Sequence, residues 1–250
     1  MAVRPRAARG AGQHFLRSSK LAAELVRAAQ IQRDDLVLDL GAGTGTLTTA
    51  LARASDRVVA VEIDAGLAAG LRARFSEVNV IMGDARTVPL PTEPFKVVAN
   101  LPFAGATAIL RRLLEPRVSL EAADVILQWE TACKRAAVWP TTQLGAYWGA
   151  WFELSVTRRL PRCVFAPPPA VDAGLLRIVR RTEPLVPVAR ERSYQGFLAR
   201  GYRHGLRGVV TVRQLKQWES ELGLDRRASA RDLDPRQWAE LFRRAVRLTG

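Results

Sequence analysis

Asn100-Leu101-Pro102-Phe103 places a primary amide, a stiff turn and an aromatic ring at the end of the apolar run Val97-Val98-Ala99. An amide carbonyl from Asn100 and a backbone carbonyl near Leu101 accept both hydrogens of an exocyclic amine, while Phe103 stacks on the base that carries it. Taken alone, the tetrapeptide is more simply a turn with a packed aromatic. Its company changes that. Upstream lie a glycine-rich turn, Asp39-Leu40-Gly41-Ala42-Gly43-Thr44-Gly45, and two acids that each close a strand-like run, Glu62 and Asp84. Glycines in such a turn let the main chain approach a ligand closely and set backbone N–H groups beside it. Glu62 follows Gly41 by 21 positions, which suits a carboxylate that accepts from ribose hydroxyls. The spacing Gly41-x-Gly43-x-Gly45 lacks the two-residue gap of the dinucleotide fingerprint, which argues against a nicotinamide enzyme. Asp84 supplies an acceptor for an adenine amino group. Four polar positions at successive strand ends describe an S-adenosylmethionine site with an amide-plus-aromatic reaction centre.

The chemistry of that centre follows from the amine. An adenine N6 is a poor nucleophile because its lone pair is delocalised into the ring. Two carbonyl acceptors favour a pyramidal nitrogen whose lone pair points in line at a sulfonium methyl, and Pro102 stiffens the turn that holds them. No general base is needed before attack, since the proton can leave afterwards, so catalysis is positioning and electrostatics. A paired base cannot reach such a pocket and must be flipped out or already unpaired.

The elements that position these residues alternate along the chain. Ser18 or Ser19 caps a helix whose apolar positions Leu21, Leu25, Val26 and Ala29 recur at helical spacing. Strands are expected at 36–40, 57–61, 78–82, 96–99, 124–128 and 175–179, with helices at 47–53 and 67–75 between the first three. Short apolar strands separated by helices predict a parallel sheet covered on both faces. Pro167, Pro168 and Pro169 keep the approach to the last strand out of a helix. After about Thr182 the pattern turns helical, near 190–204, 211–222 and 234–247, with Gly205, Gly208, Gly223 and Pro235 as punctuation. The expected division is a basic tail at 1–12, an α/β domain at 13–182 and a small basic helical domain at 183–250.

A net charge of +14, with 38 basic against 24 acidic residues, points to a polyanionic partner. Only four of the basic residues are lysines, and a codon bias toward arginine explains that choice without explaining the excess. Arg4, Arg6 and Arg9, Arg111 and Arg112, and Lys134, Arg135 and Arg162 are candidate phosphate contacts, although any one alone is more simply a solvated charge. Trp129, Trp139, Trp148 and Trp151 read as packing aromatics. Two cysteines, Cys133 and Cys163, with two histidines, His14 and His204, form no disulfide framework and no metal-ligand spacing. With no apolar run of membrane-span length and no signal-peptide core, the expectation is a cytoplasmic, metal-free monomer that does not enter membranes.

At this point the sequence resembles the rRNA adenine N6-methyltransferases, the family of the Erm and KsgA enzymes, over about residues 12–180. Gln13-His14-Phe15-Leu16 is similar to the family's N-terminal cofactor motif, Gln-Asn-Phe-Leu, with His14 where asparagine is usual. Asp39–Gly45, Glu62-Ile63-Asp64, Gly83-Asp84-Ala85 and Asn100–Phe103 match the next four motifs. The resemblance implies a Rossmann-like S-adenosylmethionine-dependent methyltransferase sheet, with the cofactor held by Gln13, His14, Leu16, Gly41, Gly43, Gly45, Glu62, Ile63, Asp84, Ala85 and Asn100. Phe165 opens a segment similar to Phe-x-Pro-x-Pro-x-Val, which implies that it sandwiches the target adenine opposite Phe103. Phe103 itself, where the KsgA branch commonly has tyrosine, and the segment Gln128–Arg135 resemble actinobacterial-type Erm enzymes. The function implied is mono- or dimethylation of one 23S rRNA adenine, with resistance to macrolides, lincosamides and streptogramin B. The alternatives are a KsgA-type small-subunit dimethylase and a non-catalytic ribosome-assembly factor on the same fold.

Overall fold

The computed structural model describes residues 13–137, 141–224 and 228–247. The basic tail and Trp139 lie outside them. The chain opens with a two-residue strand, β1 (Phe15–Leu16), and a helix, α1 (Ser19–Ala28), whose cap is Ser18, its side chain accepting from the Leu21 amide. Then come β2 (Leu36–Leu40), α2 (Thr46–Ala54), β3 (Arg57–Glu62), α3 (Ala65–Arg74) and β4 (Asn79–Met82). β5 (Phe95–Asn100), α4 (Ala106–Leu113), β6 (Leu120–Gln128), α5 (Trp129–Ala136) and α6 (Gln143–Trp148) follow. The remainder is β7 (Phe152–Leu160), β8 (Phe165–Ala166), β9 (Ala173–Arg180), α7 (Glu191–His204), α8 (Val212–Leu222) and α9 (Pro235–Arg247).

Seven strands form one sheet in the order β4-β3-β2-β5-β6-β9-β7, and β1 pairs antiparallel with β8 in a separate two-stranded ribbon. β2 lies parallel to both β3 and β5, with Leu38 opposite Val59 on one side and Val97 on the other. From β2 the chain winds outward through β3 to β4, then returns to the far side of β2 as β5. That reversal opens a crevice between β2 and β5 at their carboxyl ends, where open α/β sheets bind ligands. The central strands are near-continuous apolar runs because both faces are covered, and Val37, Leu40, Ala60, Val97 and Ala99 are all buried.

Two compact units divide the described chain. The first takes in the chain through Leu113 together with Val118–Ala132 and Val156–Arg177, and holds the strand ends at the crevice. The second draws on Leu114–Arg117, Cys133–Ser155 and the chain from Ile178 onward. Its core is aromatic: Tyr194 meets Trp151 and Phe242 edge-on at 5.9 and 5.2 Å, and Phe197 meets Trp238 at 6.1 Å. Trp148 and Trp151 are fully buried there, as packing residues.

Gly45, which caps α2, has φ +79, and a Cβ on it would stand 2.7 Å from Leu71 Cδ2 and 3.1 Å from Phe75 Cε2. Left-handed backbone and overpacking both penalise a side chain here. Gly45→Ala is expected to destabilise the fold by about 2 kcal/mol and to lower the melting temperature by roughly 4–8 °C. Thermal unfolding checks this, and an unchanged midpoint contradicts it.

Candidate active site

A cavity of about 310 Å³ lies in the first unit at the carboxyl ends of β2, β3, β4 and β5. Gln13, His14, Gly41, Gly43, Glu62, Ile63, Asp84, Ala85, Asn100, Leu101, Pro102 and Phe103 all line it, together with Phe15 and Arg86. Phe15 and Arg86 were not expected there. Phe15 is set by the β1 pairing, and its ring would lie 2.7 Å from a Cβ on Gly43, so glycine at 43 admits the ring.

The glycine turn differs from expectation in one respect. Three of its amides are already engaged within the protein: Gly41 and Ala42 donate to the Val61 carbonyl at 2.8 and 3.0 Å, and Gly43 donates to Glu62 Oε2 at 2.7 Å. The turn is laced to the end of β3, and its contribution is close approach of the main chain. The second oxygen of Glu62 accepts from the Asp64 amide at 2.9 Å, so two backbone donors hold this 3%-exposed carboxylate in place. Each carboxylate oxygen retains acceptor capacity for a hydroxyl.

Asn100 ends β5, and its Nδ2 donates to the His14 carbonyl at 2.6 Å. The partner atom, Oδ1, is buried and has no hydrogen-bond partner among the described residues. An unpaired buried amide oxygen costs free energy unless a donor arrives. The geometry therefore presents one acceptor, already oriented, beside the aromatic ring of Phe103. His14 sits against that ring at 5.4 Å between centroids, and its Nδ1 lies 2.9 Å from the Pro167 carbonyl.

Asp84 is gripped by Arg86, whose Nε and Nη2 reach its two oxygens at 2.6–3.0 Å. Those hydrogen bonds hold the Asp84 carboxyl below the usual carboxylate range. Asp39 behaves oppositely. Burial beneath the glycine turn pushes it up to about 7, the Thr48 hydroxyl at 2.7 Å pulls it down, and the charge on Glu62 raises it further.

Three expected site residues are not in the cavity. Leu16 is buried in the core by the β1–β8 pairing, and Gly45 points at Leu71 and Phe75. Phe165 is 1% exposed and meets Phe103 edge-on at 6.5 Å, so here its ring supports the Phe103 side chain and faces no base across an open gap. Among the candidate phosphate contacts, Arg112 is spent internally, donating to the carbonyls of Ala85 and Val88 at 3.3 and 2.7 Å. Arg135 lies over the Trp148 ring at 5.7 Å. Arg111, Lys134 and Arg162 are exposed, and Arg4, Arg6 and Arg9 fall outside the described residues.

The cavity's fixed groups are mostly acceptors: Glu62, Asp84 and Asn100 Oδ1. Such a set fits a ligand rich in hydroxyl and amino donors and bearing positive charge, as S-adenosylmethionine is. Parallel strands β4-β3-β2-β5-β6 with that cavity at their reversal point, and Asn100 in its lining, fit an α/β methyltransferase.

The chain matches known proteins accordingly. The family model for ribosomal RNA adenine dimethylase covers residues 6–245, and the chain belongs to that family. It is 32% identical over 92% of its length to an rRNA adenine N-6-methyltransferase of Bacillus licheniformis, covering 84% of that protein. It is 34% identical over 93% of its length to the mycinamicin-resistance protein MyrB of Micromonospora griseorubida, covering 77% of it. A crystal structure of the 23S rRNA methyltransferase ErmE superposes with a TM-score of 0.83 at 30% identity, covering 93% of this chain and 99% of that one. The protein is an rRNA adenine N6-methyltransferase.

Two outcomes follow from the acids. Asp39 keeps its proton in the fold at pH values where the unfolded chain has lost it. Its contribution to stability therefore falls as pH rises from about 4 to about 7 and stays low above that. Relative to Asp39→Asn, the wild type should lose melting temperature between pH 5 and pH 8, and parallel curves contradict this. Glu62→Ala should weaken S-adenosylmethionine binding at least tenfold by calorimetry, and an unchanged affinity removes Glu62 from the cofactor.

Proposed function

We propose that the protein transfers the methyl of S-adenosylmethionine to N6 of one adenine in 23S rRNA, once or twice, and so confers resistance to macrolides, lincosamides and streptogramin B. The observation that carries the chemistry is the bare, buried Oδ1 of Asn100 beside Phe103. Glu62 would hold the ribose and Asp84 the adenine amine of the cofactor, with Ile63 (60% exposed) against its base. When bound, the cofactor supplies an electrophilic methyl on a sulfonium.

This chain's residues do the rest. Asn100 Oδ1 accepts one N6 hydrogen of the target base, and a main-chain carbonyl of the turn takes the other. Phe103 carries the ring by stacking. With both hydrogens held, the nitrogen lone pair is free to point at the methyl, and preorganised acceptors stabilise the positive charge that develops on N6. An overall charge of +14 supplies the sequence-independent affinity for RNA.

The large-subunit target is supported by the likeness to the 23S rRNA methyltransferase ErmE, and the resistance by the likeness to the mycinamicin-resistance protein MyrB. A second reading has its own support. The chain is also 38% identical over 76% of its length to the ribosomal RNA small subunit methyltransferase A of Streptomyces griseus, covering 69% of that protein. The two are separated by offering methyl-labelled S-adenosylmethionine with naked 23S RNA or immature 30S particles and mapping modified adenines by mass spectrometry. Label at a single 23S adenine is the expected result, and its mass counts the methyl groups. Label confined to the 30S particle moves the protein to the small-subunit branch. In the productive assay, Phe103→Ala should cut the rate at least tenfold more than Phe103→Tyr, and equal losses contradict stacking.

A further inference from the structure

His14 is placed twice against the reaction turn. Its carbonyl accepts the Asn100 amide at 2.6 Å, and its ring lies 5.4 Å from that of Phe103 and lines the same cavity. The ring is not free to choose its tautomer. Its Nδ1 stands 2.9 Å from the carbonyl of Pro167, which only accepts, so Nδ1 must carry the hydrogen. Neutral His14 therefore keeps its Nε2 lone pair unprotonated, on a residue that lines the cavity. Asparagine, usual at this position in the resembling family, has no titrating group to offer there.

The reaction leaves a proton to place. When the N6 lone pair forms its bond to the methyl, the carbon–sulfur bond breaks, its electron pair stays on sulfur, and N6 becomes a cation with a hydrogen to lose. A cavity filled by cofactor and base holds little water to take it. We propose that Nε2 of His14 accepts that proton in the same step, taking the hydrogen that the main-chain carbonyl had held as the nitrogen–carbon bond forms: the N6–H pair returns to nitrogen, neutral methylated adenine forms, and the imidazolium passes the proton to solvent as product leaves. This assignment rests on the adenine N6 reading above.

The charged groups sharing the cavity are Glu62 on β3, and Asp84 and Arg86 after β4, with each carboxylate held by its own donors. Among the described residues, those seen against the His14 ring, Phe103 and Pro167, carry no charge. Asp39, with its raised pKa of about 7, is another group able to shape a pH profile near neutrality.

The test has two arms. The chain has two histidines, His14 and His204, so imidazole nitrogen NMR of the cofactor-free protein resolves both, and His14→Asn assigns them. The expected finding is an Nδ1–H tautomer for neutral His14, and an Nε2–H tautomer overturns the proposal without any turnover being measured. In single-turnover assays on the methylated rRNA, the rate should fall tenfold per pH unit below the His14 pKa read by NMR. In His14→Asn that acid limb should vanish and the neutral-pH rate drop about tenfold, while Asp39→Asn keeps the limb. A limb unchanged in His14→Asn, or lost in Asp39→Asn, overturns it. No methylation of any rRNA adenine by the wild type would instead defeat the functional reading itself.

Discussion

One hydrogen bond organises the site: the Asn100 amide nitrogen on the His14 carbonyl, at 2.6 Å. An amide has a donor end and an acceptor end, and committing the donor fixes which way the acceptor faces. Everything around it serves that commitment. β5 brings Asn100 to the sheet's edge at the reversal point, and the β1–β8 ribbon holds His14 where its carbonyl is reachable, with Phe15 opposite Ala166 and Leu16 opposite Phe165. Arg17 extends the ribbon by donating to Val164 at 3.0 Å. The price is one bare carbonyl oxygen in a buried place, a cost that sites retain where a substrate donor is to be received.

Two opposed electrostatic fields meet here. The chain as a whole is strongly basic, which draws a polyanion over long range. The cavity is lined by carboxylates, which favours a cationic ligand at short range. The two scales do not conflict, because Glu62 and Asp84 are each compensated locally, by backbone amides in one case and by Arg86 in the other. Asp39 has no cation beside it among the described residues. Buried under the turn with only Thr48 on one oxygen, it keeps a proton that an ordinary carboxyl would lose.

Much of this was legible in the residues, for physical reasons. β2, β3 and β5 are largely apolar, mostly buried runs, and their ends are marked by glycine, acid or amide. β7 carries no such mark: in Phe152–Leu160 only the two terminal residues are buried, and Arg158 and Arg159 pair with Glu24 and Asp172 on the surface. The two-residue strands β1 and β8 are too short for any periodicity, yet they place Phe15 in the cavity and Leu16 and Phe165 out of it. The direction of the turn amides was also hidden, because it depends on the Val61 carbonyl across the sheet. Arg112 looked like a surface charge because a sequence shows no carbonyls for it to serve. The α4 stripe of Ala106, Ile109, Leu110 and Leu113 could have been read as a helix whose buried face sets which arginine turns inward.

The most direct measurement is on Asn100→Ala, with single-turnover methyl transfer and S-adenosylmethionine affinity determined side by side. If Asn100 acts through the target amine, transfer should fall by about 10²-fold or more while cofactor affinity stays within roughly threefold. Parallel loss of both, or transfer that survives, would contradict the reading of its bare oxygen as the acceptor for the reacting nitrogen.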